Sequence, residues 1–164
     1  MRHVTIVSGG QSGADRAALD AAIACGLGYS GWVPAGGWAE DCPEPPGLLA
    51  LYPGLKDCGV ANPAHRTALN VRDSDATLIL WPRPGLQLSR GTGLTRAHAR
   101  MAGKPWLVAD PEDEAAVAAV VEWLAGVQPL IALNVAGPRE SQAPGVYQAA
   151  RTFLEGVFAY DSET

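Results

Sequence analysis

The chain has no basic surplus, no Cys-x-x-Cys pair, no cluster of metal-ligand residues and no apolar run of membrane-spanning length. Its 12 Lys and Arg face 17 Asp and Glu, a formal net charge of −5. Nothing is left over to neutralise a phosphate backbone, so no nucleic acid is expected as partner, although one local basic pocket for a small anion is compatible with this balance. Cys25, Cys42 and Cys58 are odd in number and lack paired spacing, which argues against a disulfide framework or a zinc site. His3, His65 and His98 share no ligand-like spacing either, so no metal is expected. No apolar signal segment precedes the first strand pattern, and the reading is a cytoplasmic protein with no membrane partner. Internal repeats, low-complexity tracts, a Ser–His–Asp nucleophile system and an activated cysteine are missing as well.

What is present is a globular composition. Over 164 residues, 48% are hydrophobic and 18% charged, enough for one domain, 1–164, to bury a real core. Apolar runs alternate with helical patterns: strands are expected over 3–8, 29–33, 76–81, 105–109 and 130–135, and helices over 13–25, 63–72, 93–102, 112–125 and 144–158. Thr77–Trp81 is continuously apolar, as a strand covered on both faces should be. Val117, Val120, Val121 and Leu124 follow the i, i+3, i+4, i+7 spacing of one buried helical face, and Tyr147, Ala150, Leu154, Val157 and Phe158 repeat it. Strand–helix alternation of this kind gives an α/β fold, a doubly wound, mainly parallel five-stranded sheet with helices on both faces. Ligands of such sheets sit beyond the carboxyl ends of the strands. Residues 34–62 break the rhythm with five prolines and five glycines; so long a connection is a binding loop or lid, or an ordered loop packed on a neighbouring subunit.

Three segments fall at that carboxyl edge. Ser8–Arg16 turns from the first strand into the first helix through Gly9, Gly10 and Gly13, and backbone N–H groups at a helix N-terminus suit an oxyanion. The segment has neither the P-loop lysine nor the Gly-x-Gly-x-x-Gly spacing, which disfavours a kinase or a conventional NAD dehydrogenase. Here Ser12 is expected to cap the helix and Arg16 to pair with Asp20 at i, i+4. Ser89–Thr95 forms a second glycine turn with hydroxyls on Thr92 and Thr95, where Arg90 or Arg96 can offset anionic charge or simply be solvated. The third segment, Asn134–Ser141, carries Arg139, a ligand-facing or intersubunit cation or a surface ion pair, and Ser141, a candidate cap. Arg66 and Asn70 lie one turn apart on one helix face, Arg66 near the ligand edge. Glu40 and Asp41, in the long loop, can bind ribose hydroxyls or assist proton transfer, and Trp38 can stack on a base or pack the loop. Asp73, Ser74 and Asp75 fall at the opposite edge and read as turn residues.

Taken together, Gly9–Asp20, Gly31–Gly36 with Ala39-Glu40-Asp41, Arg66–Ile79, Gly91–Thr95, Lys104-Pro105 and Leu133–Ser141 resemble the molybdenum carrier family over most of the chain. That resemblance implies a Rossmann-like fold related to the lysine decarboxylase-like (LOG) phosphoribohydrolases. It also implies a nucleotide or molybdenum cofactor as the bound group and a homo-oligomer, dimer or tetramer. The ligand-binding set it suggests is Gly9, Gly10, Gln11, Ser12, Gly13, Asp15, Arg66, Asn70, Gly91, Thr92, Thr95 and Arg139, for a small anionic or nucleotide-like ligand. The phosphoribohydrolases carry a catalytic glutamate where this chain has Thr95, and Leu88-Ser89-Arg90 replaces their Pro-Gly-Gly. An alcohol cannot act as a carboxylate acid or base, so binding is favoured over hydrolysis. The alternatives are a hydrolase of a nucleotide-derived substrate with Glu40 or Asp41 as catalytic residue, and a direct carrier of molybdate.

Overall fold

In the computed structural model, which describes residues 1–82 and 88–160, the β-branched run Thr5–Val7 forms β1. It lies between β2, Gly28–Ser30, and β7, Ala132–Ala136. On the far side of β7 follow β5, Ala76–Leu80, and β6, Trp106–Ala109. The order is β2-β1-β7-β5-β6 and every pairing is parallel. All five residues of β5 are buried, as its continuous apolar run requires.

Helices α1, Ala14–Ala24, α5, Ala116–Ala125, and α6, Val146–Ala159, pack with one another against one face of the sheet. On the other face α3, Pro63–Arg72, packs with α4, Arg90–Met101. This is the doubly wound arrangement that right-handed crossovers produce. α1 presents Ala14, Ala17, Ala18, Ala21 and Ala22 to the interior, none of them exposed, so its backbone approaches both the sheet and α6 closely. The main core gathers Ile6, Leu78, Leu80, Leu133, Val135, Val120, Phe153 and Leu154 from both layers.

Several expectations are corrected. The strand expected over 29–33 is two strands. β2 ends at Ser30, and β3, Trp32–Val33, joins a separate parallel pair with β4, Lys56–Asp57. The break falls at Gly31, whose missing Cβ lets the Ser8 carbonyl press against it. The long connection is also not bare loop. It holds a short 3-10 turn at Ala35–Gly37, the helix α2, Leu48–Leu51, and β4. Val33, Ala39, Leu48 and Leu55 close over Leu19 of α1 as a second small core. α4 begins at Arg90 rather than at 93, because the Ser89 hydroxyl accepts the Thr92 N–H at 3.3 Å and starts the helix earlier; Gly91 and Gly93 thus lie in its first turn rather than in a preceding loop. α5 begins later than expected because Asp110 and Asp113 hold Glu112 and Ala115 in side-chain-closed turns. At the amino edge, Asp75 accepts the N–H groups of Ile131 and Ala132. Lys104 donates to the carbonyls of Val71, Arg72 and Ser74 at the end of α3.

Candidate functional site

A cleft of about 170 Å³ opens above the carboxyl ends of β1, β7 and β5. Four segments wall it: Gln11 and Asp15 after β1, Arg66 and Thr67 on α3, Ser89, Gly91, Thr92 and Thr95 at the start of α4, and Ala136 at the end of β7 with Gly137, Arg139 and Gln142 beyond it. Seven of the residues expected at a site meet here: Gln11, Asp15, Arg66, Gly91, Thr92, Thr95 and Arg139. Ser89 and Gln142 also line it. A serine just before the helical pattern, the favoured N-cap residue type, could have placed Ser89 from sequence.

Charge at the floor is organised around Asp15. It is 4% exposed, and the Arg66 guanidinium stands beside it, Nη1 to Oδ2 at 3.3 Å. Burial pushes the Asp15 carboxyl above its ordinary range; Arg66 and the N–H groups of Gln11 and Gly137 act against that rise without cancelling it. Arg66 lies against the backbone of Gly9, where any Cβ would collide with the guanidinium. Gly9 therefore makes room for an arginine.

The remaining turn glycines serve chain-to-chain contact. Gly13, at φ 82°, admits the Pro138 carbonyl and the Glu140 N–H into space that a Cβ would fill. The N–H groups of Ala14, Arg16 and Gly10 are taken by Pro138 O, Gln11 O and Ser8 Oγ. The α1 end is thus largely satisfied from within the protein. The first turn of α4 is more open, since among the described residues nothing lies within 4 Å of a Cβ built on Gly91.

Two polar atoms at the floor have no hydrogen-bond partner among the described residues. Gln11 donates Nε2 to the Trp38 carbonyl at 2.9 Å, and its Oε1 is buried without a partner. The Arg66 Nε is likewise buried and unpartnered. Buried polar groups are nearly always hydrogen-bonded to protein or to ordered water, so these two atoms are open hydrogen-bonding positions.

Other expected site residues lie elsewhere. Asn70 is 2% exposed and spends its amide on Trp32, accepting from its N–H at 2.7 Å and donating to its carbonyl at 3.1 Å; it extends β3 as a strand partner would. Ser12 does not cap α1, whose N-cap is Gly13. Its hydroxyl donates to Glu40 and accepts the Glu140 N–H at 3.2 Å. Glu40 also accepts from the Ser141 hydroxyl at 2.7 Å, with Arg139 Nη1 at 3.9 Å. These donors, Ser12 first, hold its carboxyl below the ordinary range. Asp41 takes a two-pronged bond from Arg16 at 2.8 and 2.9 Å, which lowers its carboxyl too. Arg16 therefore pairs with Asp41 rather than Asp20, because the long loop brings the stronger partner. Asp20 instead accepts from Tyr52 at 2.6 Å and Tyr147 at 2.5 Å. Ser141 does not cap α6 either; Glu140 does, accepting from Gly145 and Tyr147. Trp38 packs under Arg139, 5.5 Å from ring centre to guanidinium carbon. Neither Glu40 nor Asp41 lines the cleft. A larger depression of about 330 Å³ at the amino edge is lined by Met1, Val4, Leu124, Val157 and other mostly apolar residues. Among the described residues no group of His, Cys, Asp and Glu is arranged to hold a metal ion, and no helix is long and apolar enough to cross a membrane.

A doubly wound parallel sheet with a polar, charge-paired cleft at its carboxyl edge defines a Rossmann-like α/β protein. Residues 6–158 match the model of the circularly permutated YpsA SLOG family, and the chain belongs to that family. It is also similar to the crystal structure of a protein named "Putative molybdenum carrier protein" from Syntrophus aciditrophicus SB. The TM-score is 0.84 and the identity 38%, with 95% of each chain covered. No curated protein matches.

Proposed function

We propose that this protein binds a small phosphate-bearing, nucleotide-like ligand in the cleft, with the pterin-nucleotide form of molybdenum cofactor the first to test. The observation that carries this reading is the convergence of Arg66, the open first turn of α4 and Gln11 on one cleft at the carboxyl edge. Arg139 and the helix terminus supply positive potential for the phosphate, and Thr92 lines the same cleft. The name of the similar structure supports molybdenum as cargo, reaching this chain within an organic carrier. Binding is preferred to hydrolysis because Glu40 and Asp41 do not line this cleft and their carboxyls are engaged by Ser12, Ser141 and Arg16.

Native mass spectrometry of freshly purified protein tests this, reading both the retained mass and the subunit number, for which a dimer or tetramer is expected. A phosphorus-containing organic mass should be retained by the natural chain. It should be lost from Gly91→Val, which fills the cleft mouth where a side chain meets no neighbour among the described residues, and from Arg66→Lys, which keeps the charge and loses the fork. Retention of the same mass by both variants would refute the placement. So would an empty protein that phosphate-bearing nucleotides fail to stabilise against heat.

A further inference from the structure

The cleft floor is more selective than a general anion site, and its selectivity follows from two fixed side chains. Gln11 is 2% exposed, and donation of its Nε2 to the Trp38 carbonyl fixes which end of the amide faces onward. What it leaves free is an acceptor, Oε1. Arg66 is fixed by Asp15 on one side and the Gly9 backbone on the other. What it leaves free is a donor, Nε–H. The floor therefore holds one acceptor and one donor just beneath its surface, and a ligand group drawn down onto them must match both or leave a buried polar group desolvated.

Charge points the same way. Asp15 pairs with Arg66 at 3.3 Å, which offsets the positive charge that the guanidinium brings to the floor. A fully ionised tetrahedral oxyanion brings acceptors alone. It would satisfy Arg66 Nε, leave Gln11 Oε1 unpaired and stand against the buried Asp15 carboxylate. Arg139 and the α4 terminus, at the wall, are better placed for an anionic group.

Resting on the nucleotide-like reading above, we infer that the floor formed by Gln11, Arg66 and Asp15 selects a neutral ligand group that both donates and accepts a hydrogen bond, and rejects a bare oxyanion. A ribose hydroxyl pair and a cyclic amide edge both have this chemistry. The protein would then carry molybdenum only inside an organic molecule.

Isothermal titration of the full chain with molybdate, sulfate, ribose 5-phosphate, adenosine monophosphate and guanosine monophosphate tests it. The organic phosphates should bind about ten-fold or more tightly than either oxyanion. Gln11→Met, which keeps length and removes the acceptor, should cost the organic ligands about ten-fold and leave the oxyanions unchanged. Equal losses for ribose 5-phosphate and both nucleotides assign the floor to sugar hydroxyls. A loss confined to guanosine monophosphate assigns it to the cyclic amide, which adenosine monophosphate lacks. Arg66→Lys removes the Nε–H donor with charge retained and should show the same organic-selective loss, which keeps the test open if Gln11→Met fails to fold. Organic ligands that bind tightly but ignore both variants overturn this inference, and the cleft reading then stands or falls on Gly91→Val. Molybdate binding as tightly as any organic ligand overturns both, as does a failure of every probe to bind.

Discussion

At Asp15, burial and pairing oppose each other, and burial wins. Its folded-state pKa lies above the ordinary 3.8, so the native state holds the proton more readily than the unfolded chain. Stability contributed at this residue is therefore full below 3.8 and declines as pH rises toward the folded value. The unfolding free energy of the natural protein relative to Asp15→Asn should fall over that window and then level off, as urea titrations at a series of pH values would show. Arg66 is the largest influence holding the carboxyl down. Arg66→Ala should therefore extend the decline toward neutral pH and cost about 3–5 kcal/mol there, the usual result of leaving a buried charge alone. A pH-independent difference would refute the account. The sequence shows Asp15 and Arg66 only as two polar residues 51 positions apart. Gly9 offers no local hint that its role is to make room for a guanidinium.

The segment between β3 and α3 is held to the rim by carboxylates. Glu40 ties it to Ser12 and Ser141, and Asp41 ties it to Arg16. Both carboxyls are held below their ordinary values. Their contribution is therefore present above 4.5 for Glu40 and 3.8 for Asp41, and is lost as pH falls through the lower folded values. Glu40→Ala should cost about 1–2 kcal/mol at neutral pH. Asp41→Ala should cost less than about 1, since half-exposed pairs are screened. Hydrogen exchange should quicken across 34–42 in both variants while the core strands stay protected; unchanged exchange there would rule out the staple. At this scale the sequence was informative about type and poor about ends. Helix α3 and strand β5 lie where their periods predict. The start of α4 and the break at Gly31 depend on a cap and a close approach that hydrophobic period does not register.

Over the whole molecule, α1 is the element against which both α6 and the loop's small core are built. Its interior alanines leave no spare volume: Ala17, Ala18 and Ala21 are all fully buried. Ala18→Leu should destabilise the whole fold by about 1–3 kcal/mol through overpacking. Ile23→Ser, on the same helix but 51% exposed, should stay within about 0.5 kcal/mol. Guanidinium unfolding followed by both tryptophan fluorescence and circular dichroism would check the pair, and equal effects would contradict the packing described.

By itself the sequence determined the strand–helix alternation, the parallel doubly wound sheet and the edge at which the cleft opens, because hydrophobic period, glycine turns and crossover handedness act within tens of residues. Only the tertiary structure decided which polar groups meet. The order β2-β1-β7-β5-β6 inserts the last strand between the first and the fifth. That insertion brings Glu140 to Ser12 across 128 residues and Arg139 and Gly137 to the cleft wall. Pairings of that length are fixed by where the backbone closes on itself. The same closure separates Asn70, Ser12 and Glu40, polar in sequence and occupied in the fold, from Gln11 and Arg66, which keep a free acceptor and a free donor.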